Sequence, residues 1–481
     1  MGGFDMNGSH AALALGAAIS LGLSGCDGAN SPESVSQTGQ SSTVGDIVFD
    51  EIVSLGNTDR NPADQYLQSG ADGQVLVTWS EDSEGVRARN SFMATLGSNG
   101  ALADEARRVN DGPGEVHWYG GDNRLKFTVA ADGGVTAVYA SPLKEFKTGV
   151  VKTAHAERDG DFLPSAILND DERGPVPVAH AFAAIATSPN GKVYSTWIDS
   201  RSRTFTGMSK PETTADRRKD IKMRDLTIPK SVMQMGPRAR RNFVEQNSQL
   251  WMAVSEDGGK TFGANYPITE ITVCACCVPT ISFLDGGDTV VVSYRFVTAD
   301  YLRDNVVIRS TDGGKTFSEP TYISDDGWIA TFCPHAGSSV IADNTGRLHS
   351  LWFTGGRPDA DETGIYYTYS DDQGKSFAPR KLMDKTPAHT VLHAQIVVDG
   401  NNHLWGVWEN IAEGEMNPQI FLAHRAADAT EWSPSYRVSD GSTTAMLPAL
   451  ATDGQKVYVS WTEKQGETST VKVRTAALAS S

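Results

Sequence analysis

Apolar and polar positions alternate along most of this chain in short runs that are typical of β-strands. Seven such runs follow a turn and end on an aromatic residue, as in residues 73–79 (Gly-Gln-Val-Leu-Val-Thr-Trp). The seven aromatic residues are Trp79, Tyr139, Trp197, Tyr294, Trp352, Trp408 and Trp461. They are 53 to 60 residues apart, except for an interval of 97 between Trp197 and Tyr294. Because helical periodicity is nowhere sustained, the pattern predicts an all-β protein.

This spacing suits four short strands with their turns, which predicts a β-propeller of seven blades, with six blades as the alternative. The long interval contains an insertion at residues 201–241. The last repeat ends after its third strand, and residues 46–55 can supply the fourth. A last blade that joins both ends of the chain closes the ring and removes exposed sheet edges.

A second repeat marks a turn within three of the blades. Residues 255–262 (Ser-Glu-Asp-Gly-Gly-Lys-Thr-Phe) recur with small changes at 310–317 and 370–377, and weaker copies lie at 157–162 and 427–432. We expect Asp257, Asp312 and Asp372 to accept backbone N–H groups across the turn, while a glycine adopts positive φ. These residues are therefore predicted to be structural.

The chain begins with features of a targeting segment. Residues 11–23 are apolar but too short to span a bilayer comfortably, and residues 23–26 (Leu-Ser-Gly-Cys) resemble the bacterial lipobox. The resemblance implies a lipoprotein signal at 1–26, lipidation of Cys26, and a membrane-anchored protein of the periplasm or cell surface. The polar residues 27–45 predict a disordered tether before a propeller at 46–481. The alternative is an ordinary secretory signal with an incidental cysteine.

Charge narrows the range of partners. The net charge of −17 argues against a nucleic-acid-binding protein, which needs clustered Lys and Arg to neutralise phosphates. The insertion at 201–241 is the exception, with twelve Lys or Arg against four Asp or Glu. It is interpreted either as a lid or docking loop for an acidic partner, or as a mobile surface loop.

Residues that commonly ligate metals precede the innermost strands of adjacent repeats. His180, Cys277 and His335 each lie 17 residues before the aromatic residue of their repeat. The predicted metal ligands at this level are Cys274, Cys276, Cys277, Cys333, His335, His180 and His393. Comparable loops also contain His117, His389 and Met446. Thiolate and imidazole favour copper or zinc over magnesium or calcium, although four cysteines in an exported protein can also form two disulfides.

Charged residues after the aromatic strands form a predicted rim on the same face. The candidates are Asp199, Arg201, Arg295, Arg357 and Glu409. Such a rim can bind an anionic, sugar-like or protein ligand through guanidinium contacts, or it can be solvated surface.

The repeated hairpins resemble the Asp-boxes of sialidases and related propellers, and the resemblance covers nearly all of the chain after the tether. It implies a propeller fold and, for a true sialidase, three arginines, a Tyr-Glu pair and an Arg-Ile-Pro sequence. No Arg-Ile-Pro sequence occurs here. The combination of Cys274-Ala275-Cys276-Cys277 with Cys333-Pro334-His335 is similar to a bacterial sialidase-like lipoprotein subgroup.

Three functions are therefore expected as alternatives. The first is a copper- or zinc-binding propeller, either a copper-handling protein or a redox enzyme. The second is a sialidase-type glycoside hydrolase. The third is a binding module in which disulfides brace the channel.

Overall fold

The computed structural model describes residues 42–70, 72–84, 89–117, 122–142, 149–171, 180–201, 234, 236, 247–330, 334–387 and 392–479. The signal at 1–26 with Cys26, the tether up to residue 41, and nearly all of the insertion lie outside the described residues. The same holds for Cys333 and His389.

The strands form seven antiparallel sheets, which confirms a propeller of seven blades. From the channel outwards, blade 1 contains Ala63–Ser69, Val75–Asp82, Arg89–Leu96 and Arg107–Arg108. Blade 2 contains Lys126–Val129, Val135–Pro142, Gly149–Ala156 and Ala166–Ile167. Blade 3 contains His180–Thr187, Val193–Asp199, Asn247–Ser255 and Tyr266–Pro267, with Val273–Cys274 paired to its third strand.

Blade 4 contains Thr280–Leu284, Thr289–Arg295, Asn305–Ser310 and Thr321–Tyr322. Blade 5 contains Ser339–Ala342, Leu348–Thr354, Gly364–Ser370 and Lys381–Lys385. Blade 6 contains Ala394–Val398, Leu404–Asn410, Gln419–Arg425 and Tyr436–Arg437. Among the described residues, 3₁₀ turns lie at Thr58–Arg60 and Asp285–Gly287. Within the described residues, no helix has the length and apolar character to span a membrane.

Blade 7 joins the two ends of the chain. Its strands Thr444–Thr452, Val457–Gln465 and Thr468–Leu478 are completed by Ile47–Phe49 and Val53–Leu55, which pair with Thr468–Leu478. This confirms the predicted closure of the ring. Ser42–Val44 also pairs with Ile47–Phe49, and Gly45 forms the connecting turn with φ of +62°, so residues 42–45 of the predicted disordered tether are part of the sheet.

The second strand of each blade supplies much of the core. All seven aromatic residues are buried, and each strand continues one to four residues beyond its aromatic residue. Every residue of Val193–Asp199 in blade 3 is buried. Burial on both faces follows because each sheet packs between two neighbouring sheets. Each repeat in the sequence therefore corresponds to one sheet that packs between its two neighbours.

The three repeated hairpins lie between the third and fourth strands of blades 3, 4 and 5. The carboxylates of Asp257, Asp312 and Asp372 each accept a backbone N–H four residues on, at 2.9 to 3.0 Å. A serine hydroxyl donates to the same oxygen at 2.7 to 2.8 Å. Gly259, at φ +97°, packs against Thr136 of blade 2, so the turn also contacts the preceding blade.

The first strands of all seven blades surround a central channel that encloses a cavity of about 440 Å³. Because the blades share one strand order, the starts of these strands lie at one end of the ring. His180 begins the first strand of blade 3, and Cys277, His335 and His393 precede those of blades 4, 5 and 6. The fold therefore places all four at the same end of the channel.

Candidate metal centre

The cysteine cluster, defined as Cys274, Cys276 and Cys277, connects blade 3 to the first strand of blade 4. Val273–Cys274 pairs with the start of the third strand of blade 3, and Val273 also forms a bridge with Phe296 of blade 4. Val278, which follows Cys277, lines the channel. Two blades therefore hold this segment from both sides.

The three sulfurs lie close together in the interior. The Sγ atom of Cys274 is 3.3 Å from that of Cys277 and 3.6 Å from that of Cys276. All three cysteines are buried, and none of them forms a disulfide. Their ligand atoms lie within 4.8 Å of one another, so the cluster can hold a metal ion.

Arg303 contacts the cluster directly. Its Nη1 atom donates a hydrogen bond to Cys274 Sγ at 2.9 Å. Hydrogen bonds from the Cys276 and Cys277 thiols, together with the charge of Arg303, hold the pKa of the Cys274 thiol well below its usual range. Burial raises the pKa of the Cys277 thiol. The site therefore favours a thiolate at Cys274.

His335 lies in the loop that flanks the cluster on the blade 5 side. Its backbone has φ of +54°, an unusual value for a residue with a side chain, and its ring packs against Phe182 at 6.0 Å between centroids. The Nδ1 atom is buried and makes no hydrogen bond within the described residues. Burial lowers the pKa of His335, which favours the neutral imidazole that metals bind.

Arg295 fixes this same loop. The guanidinium is fully buried and donates from Nε and Nη2 to the carbonyl of Ala336 at 3.0 and 2.8 Å. It also donates to the carbonyls of Arg303 and Phe353 at 2.7 and 3.1 Å. Arg295 was predicted to belong to a ligand-binding rim, but the structure places it as a brace between the loops that carry Arg303 and His335.

His393 pairs with Glu409, another predicted rim residue. The Nδ1 atom of His393 lies 3.2 Å from Glu409 Oε2, and Nε2 donates to the carbonyl of His335 at 3.1 Å. Burial alone would lower the pKa of His393, but Glu409 raises it overall. Glu409 is itself buried and accepts the backbone N–H of Leu447. Both nitrogens of His393 therefore have partners within the protein.

His180 belongs to a separate group of charges. Its Nδ1 atom donates to the carbonyl of Gly149 at 2.9 Å, and Nε2 lies 3.1 Å from Asp171 and 3.3 Å from Asp199. Burial opposes the charged form, but the two carboxylates raise the pKa of His180 to about 10. Among the described residues, the ligand atoms that meet within 4.8 Å are the three cysteine sulfurs, and His180 is not among them.

Asp199 and Arg201 complete that group. Arg201 donates from Nε and Nη2 to the two carboxylate oxygens of Asp199 at 2.9 and 2.8 Å, and its guanidinium stacks 3.4 Å from the centre of the Trp251 ring. Both residues are buried. Of the five predicted rim residues, Arg357 is solvent-exposed, with 43% of its side chain accessible and ion pairs to Asp325 and Glu362.

Two further sequence candidates make contacts with blades 7 and 2. Met446 is half-buried next to a bulge in the first strand of blade 7, and the backbone N–H of His117 binds the carbonyl of Ala140. Sequence reasoning missed Arg303, the residue in direct contact with Cys274. Arg303 lies in the loop after the second strand of blade 4, which is the kind of loop that supplied the predicted rim residues. Its spacing from Arg295 does not mark it as a site residue in the sequence.

The fold resembles those of solved propellers at low sequence identity. An ulvan lyase, which is a polysaccharide lyase, superposes with a TM-score of 0.54 at 12% identity, covering 88% of this chain and 95% of that chain. A Trypanosoma rangeli sialidase in complex with sialic acid superposes with a TM-score of 0.45 at 13% identity, covering 85% of this chain and 59% of that chain. A Dyadobacter fermentans protein of unknown function superposes with a TM-score of 0.49 at 12% identity, covering 90% of this chain and 100% of that chain. At such identities the likeness to the lyase supports the fold alone.

No protein-family model matches this chain, and no curated protein sequence matches it.

Proposed function

We propose that this protein binds a thiophilic metal ion, copper(I) or zinc(II), through the cysteine cluster at one end of the propeller channel. The observation that carries the proposal is the meeting of three buried sulfurs within 4.8 Å. Sulfur ligands favour copper(I) and zinc over the oxygen-preferring magnesium and calcium. A buried site with three sulfur ligands suits the binding of an ion, whereas a catalytic zinc needs a position open to substrate.

The sulfur separations support a metal site over a brace of disulfides. A zinc–sulfur bond of about 2.3 Å in tetrahedral geometry places neighbouring sulfurs about 3.8 Å apart, whereas a disulfide requires about 2.05 Å. The separations of 3.3 and 3.6 Å in the cluster are closer to the first value. A small outward movement of the thiols is enough to accommodate an ion.

We propose the loop that carries His335 as the source of a further ligand. The buried Nδ1 atom of His335 makes no hydrogen bond in the described part of the chain, and Cys333 lies two residues before it. Zinc prefers four ligands, so this loop matters more for zinc than for copper(I).

The positions of the predicted rim residues support metal binding over sialidase-type hydrolysis. Arg201 and Arg295 bind groups inside the protein, and a substrate carboxylate in the channel would have to displace those contacts. Removal of the partner of a buried charge costs several kcal/mol, about 3 to 5. Arg201 and Arg295 are therefore assigned a structural role.

We further propose that the protein is exported and anchored to a membrane through a lipid on Cys26. This rests on the apolar segment at 11–23 and the tetrapeptide at 23–26. Export places the metal site outside the cytoplasm, in contact with the periplasm or the cell exterior.

The test is elemental analysis of the full-length protein, purified without oxygen from a bacterial host supplied with copper or zinc. Wild type is compared with C274S, C276S and C277S, and a thiol titration accompanies each sample. We expect about one ion per wild-type chain and a loss of at least 10-fold in bound metal for each variant.

C26S is the matched control, because it removes a cysteine that the proposal assigns to lipid attachment. It should keep the metal and move from the membrane fraction to the soluble fraction. Metal-free wild type with intact thiols would contradict the metal site, and C26S that stays in the membrane would contradict the anchor.

A further inference from the structure

Arg303 is a buried cation that touches one of the metal-binding sulfurs. It is 5% exposed, its Nε atom donates to the carbonyl of Ala330 at 2.7 Å, and its Nη1 atom donates to Cys274 Sγ at 2.9 Å. The backbone N–H of Arg303 also binds the carbonyl of Trp328 at 2.7 Å. These contacts fix both the main chain and the guanidinium against the cluster.

Within the part of the chain that the structure describes, no carboxylate pairs with the charge of Arg303. No ion pair joins Arg303 to an acidic side chain within the described ranges, since the neighbouring Asp304 instead accepts the backbone N–H groups of Gly327 and Trp328 at 3.0 and 3.1 Å. The side chain that faces the Arg303 guanidinium is Cys274, whose Sγ lies 2.9 Å from Nη1. An isolated buried charge is costly, so this pairing gives the guanidinium a defined role in the site.

We infer that Arg303 sets the ion selectivity of the cysteine cluster and favours copper(I) over zinc(II). The inference rests on the proposed metal site and identifies its preferred ion. A metal bound between the three sulfurs lies within a few ångströms of the fixed guanidinium, and the repulsion between two charges increases in proportion to the charge of the ion. A divalent ion therefore pays about twice the electrostatic cost of a monovalent ion.

Arg295 strengthens this effect. Its guanidinium is fully buried and donates four hydrogen bonds to three main-chain carbonyls. Its positive charge also acts on Cys274. Its hydrogen bond to the main-chain carbonyl of Arg303 also holds the two arginines next to each other. A thiolate can accept a hydrogen bond and bind a metal together, so Arg303 need not leave when the ion enters.

The experiment measures the affinities of the full-length protein for copper(I) and for zinc(II) separately, by competition with a chromogenic chelator for each ion under reducing, oxygen-free conditions. R303Q removes the charge and keeps a hydrogen-bond donor, R303K keeps the charge, and R425Q removes a buried guanidinium of blade 6. Thermal melts check that each variant is folded.

We expect R303Q to shift the ratio of copper(I) to zinc(II) affinity toward zinc by roughly 10- to 100-fold, through a gain in zinc affinity. R303K and R425Q should keep the wild-type ratio. An unchanged ratio in folded R303Q, or an equal loss of both affinities, would overturn the selectivity role while leaving the metal site intact. If R303Q fails to fold, a changed ratio in R303K overturns the role, and an unchanged one supports it. Wild type that binds neither ion would overturn the metal site and this inference together.

Discussion

The outer hairpins and the channel-end loops use repetition in opposite ways. In the hairpins, the same residues make the same contacts, since Asp257 and Asp372 bind their turns with nearly identical distances. At the channel end, the same offset from the aromatic residue gives different contacts. His180 is paired with carboxylates, whereas Cys277 lies among sulfurs. The difference teaches that the outer turns maintain the fold and that the inner ends are where blades acquire separate chemistry.

The largest effect is expected from D199N, which tests whether the His180 group is structural. Asp199 is fully buried and faces both His180 and Arg201, so its neutralisation leaves two buried cations with less counter-charge. We expect a loss of about 3 to 5 kcal/mol in the free energy of unfolding, measured by urea denaturation. D171N, at a less buried partner of the same histidine, should cost clearly less. Equal losses would show that Asp199 is not the central counter-ion.

A smaller effect should separate two adjacent glycines of an outer hairpin. Gly258 and Gly259 both have positive φ, but a Cβ atom on Gly259 would lie 1.9 Å from Thr136 Oγ1, while one on Gly258 has open space around it. We expect G259A to cost about 3 kcal/mol and G258A about 1 kcal/mol, by the same denaturation assay. Similar costs would mean that the hairpin does not brace the preceding blade.

The pH dependence of stability should also distinguish the two regions. The pKa of His180 is raised to about 10, so the stability that its charge contributes is complete below about 6.5 and declines as the pH rises toward 10. We expect the difference in unfolding free energy between wild type and H180Q to shrink by roughly 3 kcal/mol between pH 6.5 and 9.5. A constant difference would mean that the histidine is neutral in the folded protein.

The smallest effect concerns the equivalence of the hairpins. D257A and D372A each remove the three side-chain hydrogen bonds that the two turns share, and D257A also removes a weaker one from the backbone N–H of Lys260 at 3.1 Å. Each variant should therefore lose about 1 kcal/mol, and the two losses should be similar. Differential scanning calorimetry gives the comparison. In contrast, C277A and H335A, which lie at one offset in adjacent blades, should have unequal effects on metal content. Unequal hairpin losses would contradict the view that the outer repeat is purely architectural.

The fold could be predicted from the sequence because its signals are local and repeated. The strand that contains Trp197 or Trp352 carries its own pattern of apolar residues. Because the pattern occurs seven times, an error in predicting one strand does not change the predicted fold. Closure by Ile47–Phe49 was predictable from the missing strand of the last repeat. The strand Ser42–Val44 was not, because these three residues are exposed, carry no burial pattern and form a strand only through their pairing with Ile47–Phe49.

The site could be predicted in part. Cys274, Cys276 and Cys277 are neighbours in the chain, so their proximity follows from the sequence. The position of His180 was also foreseen, but its partners were not, because Asp171 reaches it across a loop whose path the sequence does not specify. Arg303 was missed for the same reason, since the loop between two strands decides where its guanidinium lies.

The pairing of Ile47–Phe49 with Thr468–Leu478 also has a consequence for biosynthesis. A chain that is still being made lacks the strand with which Ile47–Phe49 must pair, so the ring can close only after Thr468–Leu478 has been synthesised. Until then the first and sixth blades each present an unmet face, and bringing the two ends together carries the entropic cost of a very long loop. Translation of Thr468–Leu478 is therefore the step that commits the chain to its closed ring.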